Sequence, residues 1–292
     1  MATALPTLGI MSPSSSIVLE RFEAGLEFLY THGFSLVIHP QTFSGAETGN
    51  QYAGSPEEKT TALYDLWADP SIDMVMAACG GNRAMHVLPH LDTTNAKPLI
   101  GFSDTTAFLC ALYKAGKPCY FGPTVQTLSR LSPESQKTTL DVLSGQSRHS
   151  LELTHCKILH DGSVRAPVFA ATLSVLTSLC GTPYLPNLKG HILILEDIGE
   201  ELSHLDRALW QLDQCLNFSS LAGIVFGEFT DLRDTGRPFS GGGFEAVIST
   251  HIKHLSCPVI IGAPIGHGRH LSPIRQGQYA SYDTQSGLLI LE

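Results

Sequence analysis

The alternation of short apolar runs with longer segments of helical periodicity, sustained over residues 1–145, constrains this chain more than any other feature. Residues 5–11 are apolar and end in the polar loop Ser12-Pro13-Ser14-Ser15-Ser16. Residues 17–32 then place Val18, Leu19, Phe22, Leu26 and Leu29 on one helical stripe. Gly33 closes that helix, and residues 34–39 form a second strand stopped by Pro40. Residues 57–67 predict another helix, ended by Asp69-Pro70, and residues 72–78 a third strand that runs into Cys79-Gly80-Gly81-Asn82. Residues 84–91 predict a short helix, 97–101 a strand, 107–113 a helix and 118–121 a further strand. Strands alternating with helices through short loops predict an α/β fold, with a mostly parallel sheet covered on both faces. Such sheets bind ligands at the carboxyl ends of their strands, so the polar exits at Cys79-Gly80-Gly81-Asn82 and Ser103-Asp104 are expected on one edge.

The pattern changes after residue 145. Residues 151–154 alternate as a strand, 170–179 predict a helix, 191–195 a strand and 202–215 a helix carrying Leu205, Leu209 and Leu212. Residues 221–229 predict a strand, 244–254 a helix and 258–261 a strand, and residues 277–282 and 288–291 a hairpin. The expected division is an N-terminal α/β domain at 1–145, a linker at 146–165 and a C-terminal domain at 166–292.

With 292 residues, 43% of them hydrophobic, the chain is long enough for two cores. Eighteen Lys and Arg against 27 Asp and Glu give a net charge of −9 without a basic cluster, so nucleic acid is not an expected partner. No apolar run reaches the roughly 18 residues of a bilayer span. Residues 1–6 lack the order of a secretory leader. The expectation is a soluble, cytoplasmic chain with no membrane association. The seven cysteines are widely spaced and form no Cys-x-x-Cys pair, which predicts small buried thiols in a reducing compartment. His251 and His254, and His267 and His270, are spaced as His-x-x-His but lack the glutamate of a zinc-protease helix. No metal or other cofactor is expected.

Three strand exits carry reactive chemistry. Ser103 stands at the corner between an apolar strand and an apolar helix, where a serine serves as a helix cap or as a nucleophile. Glu196 ends the strand at residues 191–195; it reads as an exposed loop acid or as the orienting acid of a histidine. His267 follows the strand at 258–261 and is flanked by Gly266 and Gly268; it reads as a surface histidine or as a base. Serine hydrolysis needs a nucleophile, a base, an acid that orients the base, and N–H donors for the oxyanion. Ser103, His267 and Glu196 supply the first three. Cys79 is a rival nucleophile, at a strand exit before glycine, but the His-x-Glu pair of glutamine amidotransferases is absent from the sequence.

Several segments resemble one family. Tyr52-Ala53-Gly54-Ser55-Pro56-Glu57-Glu58 with Leu63 and Leu66, Ala68-Asp69-Pro70-Ser71-Ile72-Asp73, and Gly80-Gly81 with Leu88-Pro89-His90-Leu91-Asp92 are similar to first-domain motifs of the serine LD-carboxypeptidases. This is the muramoyltetrapeptide carboxypeptidase family, which includes microcin C immunity peptidases. Gly101-Phe102-Ser103-Asp104-Thr105-Thr106-Ala107 resembles its nucleophile motif. Gly181-Thr182-Pro183, Leu195-Glu196-Asp197-Ile198-Gly199-Glu200 and Asp206-Arg207-Ala208-Leu209-Trp210-Gln211-Leu212 resemble its acid motif and following helix, and Pro264-Ile265-Gly266-His267 its histidine loop. The resemblance implies a flavodoxin-like parallel sheet followed by a β-rich α/β domain, a Ser103-Glu196-His267 triad, and an oxyanion hole from the N–H groups of Gly81 and Asp104. It also implies a homodimer that removes the terminal D-alanine from murein tetrapeptides in peptidoglycan recycling.

The chain departs from the family pattern at Cys79, where arginine is common, at Asn82-Arg83, which is nearer the immunity-peptidase style, and at Ala170-Ala171-Thr172 in place of Gly-Gly-Asn. These bear on substrate before reaction type, so cleavage of peptidyl-aminoacyl nucleotides is the alternative activity. Two other readings stand beside it. An α/β-hydrolase esterase expects Gly-x-Ser-x-Gly, and here Thr105 occupies the second glycine position. A two-domain small-ligand binding protein would use Ser103 only as a cap that holds an anion.

Overall fold

The computed structural model describes residues 5–48, 51–146, 148–235 and 243–292. The first four residues of the start read above as leaderless lie outside them. The chain divides into two compact units, residues 1–146 and 147–292.

The first unit contains β1 (Thr7–Met11), α1 (Leu19–Thr31), β2 (Ser35–Ile38), α2 (Pro56–Ala68), β3 (Met74–Ala77), β4 (Leu99–Gly101), α3 (Thr106–Lys114), β5 (Cys119–Phe121), α4 (Val125–Leu128) and α5 (Pro133–Leu143). Its strands pair in parallel in the order β2-β1-β3-β4-β5. That is the flavodoxin-like order, in which the winding reverses between β1 and β3. Period-2 alternation sorts β1 between two helical layers. Leu8 and Ile10 pack with Phe22 and Leu29 of α1, whereas a side chain at Gly9 would meet Leu66 of α2 at 3.2 Å. The expected helix at 84–91 is a 3₁₀ helix, Ala84–His90, because Pro89 lacks the N–H that an α-helix needs.

The second unit contains β6 (His149–Glu152), β7 (Lys157–His160), β8 (Ser163–Thr172), α6 (Leu173–Ser178), β9 (Ile192–Ile198), α7 (Leu202–Leu216), β10 (Gly223–Thr230), α8 (Gly243–Ile252), β11 (Val259–Ile261), β12 (Ile274–Arg275), β13 (Tyr279–Asp283) and β14 (Leu288–Leu291). Its sheet runs β6-β14-β13-β8-β9-β10-β11-β7. The four strands from β8 to β11 are parallel, and their neighbours on both sides are antiparallel. Only Asp161 and Gly162 separate β7 from β8, although β7 lies four places along the sheet. A flat sheet would put those strands roughly 19 Å apart, beyond the reach of two residues, so the sheet curls.

Residues 146–165, expected as a linker, carry β6, β7 and the start of β8. The helix expected from residue 170 starts at Leu173. Ala170, Ala171 and Thr172 instead end β8, in register with Ile194, Leu195 and Glu196 of β9. A short buried run has no period that separates strand from helix, and small residues suit a strand covered on both faces. Cys79, Cys110 and Cys119 are buried, whereas Cys215 is exposed.

Helix α2 begins with a reciprocal cap. The Ser55 hydroxyl accepts the Glu58 N–H at 3.2 Å, and the Glu58 carboxylate accepts the Ser55 N–H at 2.7 Å. Ser55→Ala is expected to lower stability by about 1 kcal/mol, read as a lower urea midpoint with an unchanged slope.

Candidate active site

Strand β4 hands the chain to α3 through a sharp corner. Ser103 opens a 3₁₀ turn, Ser103–Thr105, at φ 59°, a left-handed conformation that costs a non-glycine residue about 1–3 kcal/mol. The corner is crowded on the inside, since a Cβ at Gly101 would lie 2.7 Å from Thr105 Cγ2. Thr105 thus fills the space that the second glycine leaves open in Gly-x-Ser-x-Gly. The exit of β3 passes directly against the serine: a Cβ on Gly80 would lie 2.9 Å from Ser103 Cβ and 3.1 Å from its Oγ.

The next residue divides its work. The buried Asp104 carboxylate accepts the Ala84 N–H at 2.7 Å and pins the segment after β3 to the corner. Its own N–H is in the first turn, where no carbonyl of the helix accepts from it. Burial raises the Asp104 pKa, opposed by the Ala84 N–H and by the nearby charge of Lys59.

The Gly80-Gly81 turn is laced to the exit of β1. Ser15 donates its N–H to the Gly80 carbonyl at 3.3 Å, and its hydroxyl accepts the Asn82 N–H at 3.1 Å. Cys79 Sγ donates to the Ser15 carbonyl at 3.0 Å, and buried Lys59 Nζ donates to the Ser14 carbonyl at 2.5 Å. None of these bonds uses the Gly81 N–H. Burial pushes the Cys79 thiol up to about 12, far from the thiolate a nucleophile requires. Cys79 is buried in this turn and tied to it by the bond to Ser15.

In the second unit, Glu196 is fully buried on β9. Its Oε2 lies 2.6 Å from His267 Nδ1, and its Oε1 accepts the Thr172 hydroxyl at 2.5 Å. Thr172 faces Glu196 because the two are in register across β8 and β9. Asp197 points to the other side, as the next residue of a strand must. There it accepts the Ser174 N–H at 2.7 Å, with burial raising its pKa to about 6. Ser103, Gly81 and Asp104 thus belong to the first unit, and Glu196 and His267 to the second.

Two further residues, Lys59 and Glu228, escape the sequence reading, and Thr172 entered it only as part of a departure from the family pattern. Lys59 lies on an apparently ordinary helix face. Thr172 falls inside the segment read as helix. Glu228 ends an apolar strand just as Glu196 does, and that shared position is the signal that could have found it. Its Oε2 accepts the Gly268 N–H at 2.9 Å. Of the remaining histidines, His251 lies 2.9 Å from Asp206, and no group of three potential metal ligands occurs among the described residues.

Thr172→Val keeps the shape but leaves a buried carboxylate oxygen without its donor. It is expected to destabilise by about 1–3 kcal/mol, against little change in Thr172→Ser, as measured by chemical denaturation.

The sequence matches the LD-carboxypeptidase N-terminal domain over residues 8–122 and the LD-carboxypeptidase C-terminal domain over residues 165–281. It is 31% identical to a murein tetrapeptide carboxypeptidase from Pseudomonas aeruginosa, over 89% of this chain and 88% of that protein. The microcin C7 self-immunity protein MccF of Escherichia coli is 27% identical over 76% of this chain and 75% of its own length. In fold, the chain resembles the crystal structure of a muramoyltetrapeptide carboxypeptidase from Oxalobacter formigenes, with a TM-score of 0.85 at 24% identity, covering 98% of this chain and 97% of that one.

Proposed function

Because this chain belongs to the LD-carboxypeptidase family, we propose that it is a serine peptidase that removes the terminal D-alanine from murein tetrapeptides, in the cytoplasm and as a step of peptidoglycan recycling. The observation that carries the reading is the buried Glu196 carboxylate 2.6 Å from His267 Nδ1. A carboxylate so placed fixes the imidazole tautomer with Nδ1 protonated, which leaves Nε2 as the base.

In this reading Ser103 is the nucleophile. His267 Nε2 takes the Ser103 hydroxyl proton as Oγ attacks the amide carbonyl, and Glu196 stabilises the imidazolium that forms. The N–H groups of Asp104 and Gly81 donate to the oxyanion. His267 returns the proton to the departing amine, releasing D-alanine, and water then hydrolyses the acyl-enzyme by the same proton path. The left-handed Ser103 supports the role, since backbone strain of this kind persists where the surrounding structure holds a reactive group in place.

The alternative substrate, a peptidyl-aminoacyl nucleotide, is favoured by the segment just after Gly81. Arg83 lies 4.4 Å over the Tyr52 ring and holds a left-handed backbone at φ 79°. An aromatic ring and a guanidinium stacked on each other suit a planar or anionic group. MccF, the relative named for microcin self-immunity, shares the family.

Both substrates are tested together, with released D-alanine or a cleaved nucleotide conjugate followed by mass spectrometry. Ser103→Ala is expected to lower turnover by about three orders of magnitude or more with the fold intact by circular dichroism. Activity retained in that variant overturns the assignment.

A further inference from the structure

The loop that carries His267 is held from below by a residue that the triad does not use. Strand β10 pairs in regular register with β9 as far as Phe226, and the register shifts before pairing resumes at Phe229. Glu228 sits in that irregularity, and bulges of this kind commonly re-aim a side chain beside an active site. From there it makes two bonds that straddle the histidine. Its N–H donates to the Ile265 carbonyl at 2.8 Å, and its Oε2 accepts the Gly268 N–H at 2.9 Å. The loop lies so close that a Cβ at Gly266 would stand 2.8 Å from Glu228 Cβ, and one at Gly268 2.2 Å from its Oε2. Two glycines around the histidine are what this docking requires.

We propose that Glu228 is the positioning residue of His267: it clamps the loop on both sides of the imidazole and adds a second carboxylate beside it. The inference rests on His267 being the general base. Among the described residues of this unit, Glu196 on β9 bonds the imidazole, and Glu228 on β10 interacts with His267, Glu196 and His270 of the same loop. Glu196 holds the ring, and Glu228 holds the backbone from which the ring hangs. Two negative charges favour the imidazolium that forms when Ser103 gives up its proton.

The energetics distinguish this role from a merely structural one. Burial raises the Glu228 pKa, with the Gly268 N–H and the charges of His270 and His267 opposing the shift. A carboxyl whose folded-state pKa is raised binds its proton more tightly in the native state, so stability falls as pH rises through that value. Above that value the ionised form therefore costs stability. A residue kept only to fasten the loop would do so better as glutamine, which retains the acceptor without the charge.

The test compares Glu228→Gln, Glu228→Ala and His267→Asn in the full-length protein, with kcat, KM and Tm measured across pH on murein tetrapeptide or the nucleotide conjugate, whichever is turned over. Glu228→Gln is expected to melt at or above the parent Tm and to lose about threefold to tenfold in kcat/KM. Its acid limb should move down by about half a pH unit, because a histidine with one fewer acid beside it loses its proton at lower pH. Glu228→Ala, which loses the clamp as well, should fall by about tenfold or more, mainly in kcat. An acid limb that coincides with the parent's in Glu228→Gln overturns the proposal, whatever happens to turnover or to the folding of the alanine variant. Turnover that survives in His267→Asn refutes the base assignment itself. Its loss, combined with a parent-like Glu228→Gln, refutes the role of Glu228 alone.

Discussion

A carboxylate with no exposure to solvent has to be paired, and much of the second unit is arranged around satisfying Glu196. Thr172 occupies one of its oxygens and His267 the other. The parallel pairing of β8 with β9 puts Thr172 opposite it, and the histidine loop packs directly on β10. The close approach of Gly227 to the Ile265 carbonyl, where a Cβ would stand at 2.2 Å, is part of the same arrangement. A buried charge in that setting fixes geometry more than it contributes net stability.

The first unit meets a different demand with different means. A serine on a left-handed backbone is strained, and the strain is held by neighbours that lack side chains or are tied elsewhere. The reversal of winding between β1 and β3 opens a crevice, and the Ser14-Ser15 segment crosses it to hold the Gly80-Gly81 turn. Lys59 anchors that segment from inside the core, at the cost of its own desolvation, which lowers its pKa. The backbone at Gly81 and Asp104 is thus held by the fold itself, which is the preorganisation that the role proposed for them requires.

The sequence made the first unit legible because each of its elements carries its own period and its own stop signal: Gly33 and Pro40 around β2, Ser55 and Asp69 around α2. The second unit was harder to read. Ala170-Ala171-Thr172 has no period of its own, and only pairing with β9 makes it strand. Residues 157–165 are polar enough to pass for a linker, yet they form β7 and the start of β8, supported from Pro258 and β11. At the site, Ser103, Glu196 and His267 were visible because each follows an apolar run. Thr172 and Lys59 act through partners far along the chain, which no local pattern announces, whereas Glu228 shares with Glu196 a place after an apolar run.

Glu196 and Asp197 are consecutive acids on one strand, and strand geometry sends one to His267 and the other to Ser174. The site therefore depends on parity. A slip of β9 by a single residue would not weaken the arrangement by degrees. It would exchange the two acids between the faces of the sheet, set the shorter side chain under the histidine and leave the longer one crowding the start of α6. Correct assembly of this half of the molecule is thus a two-valued matter, decided when β9 chooses its alignment between β8 and β10.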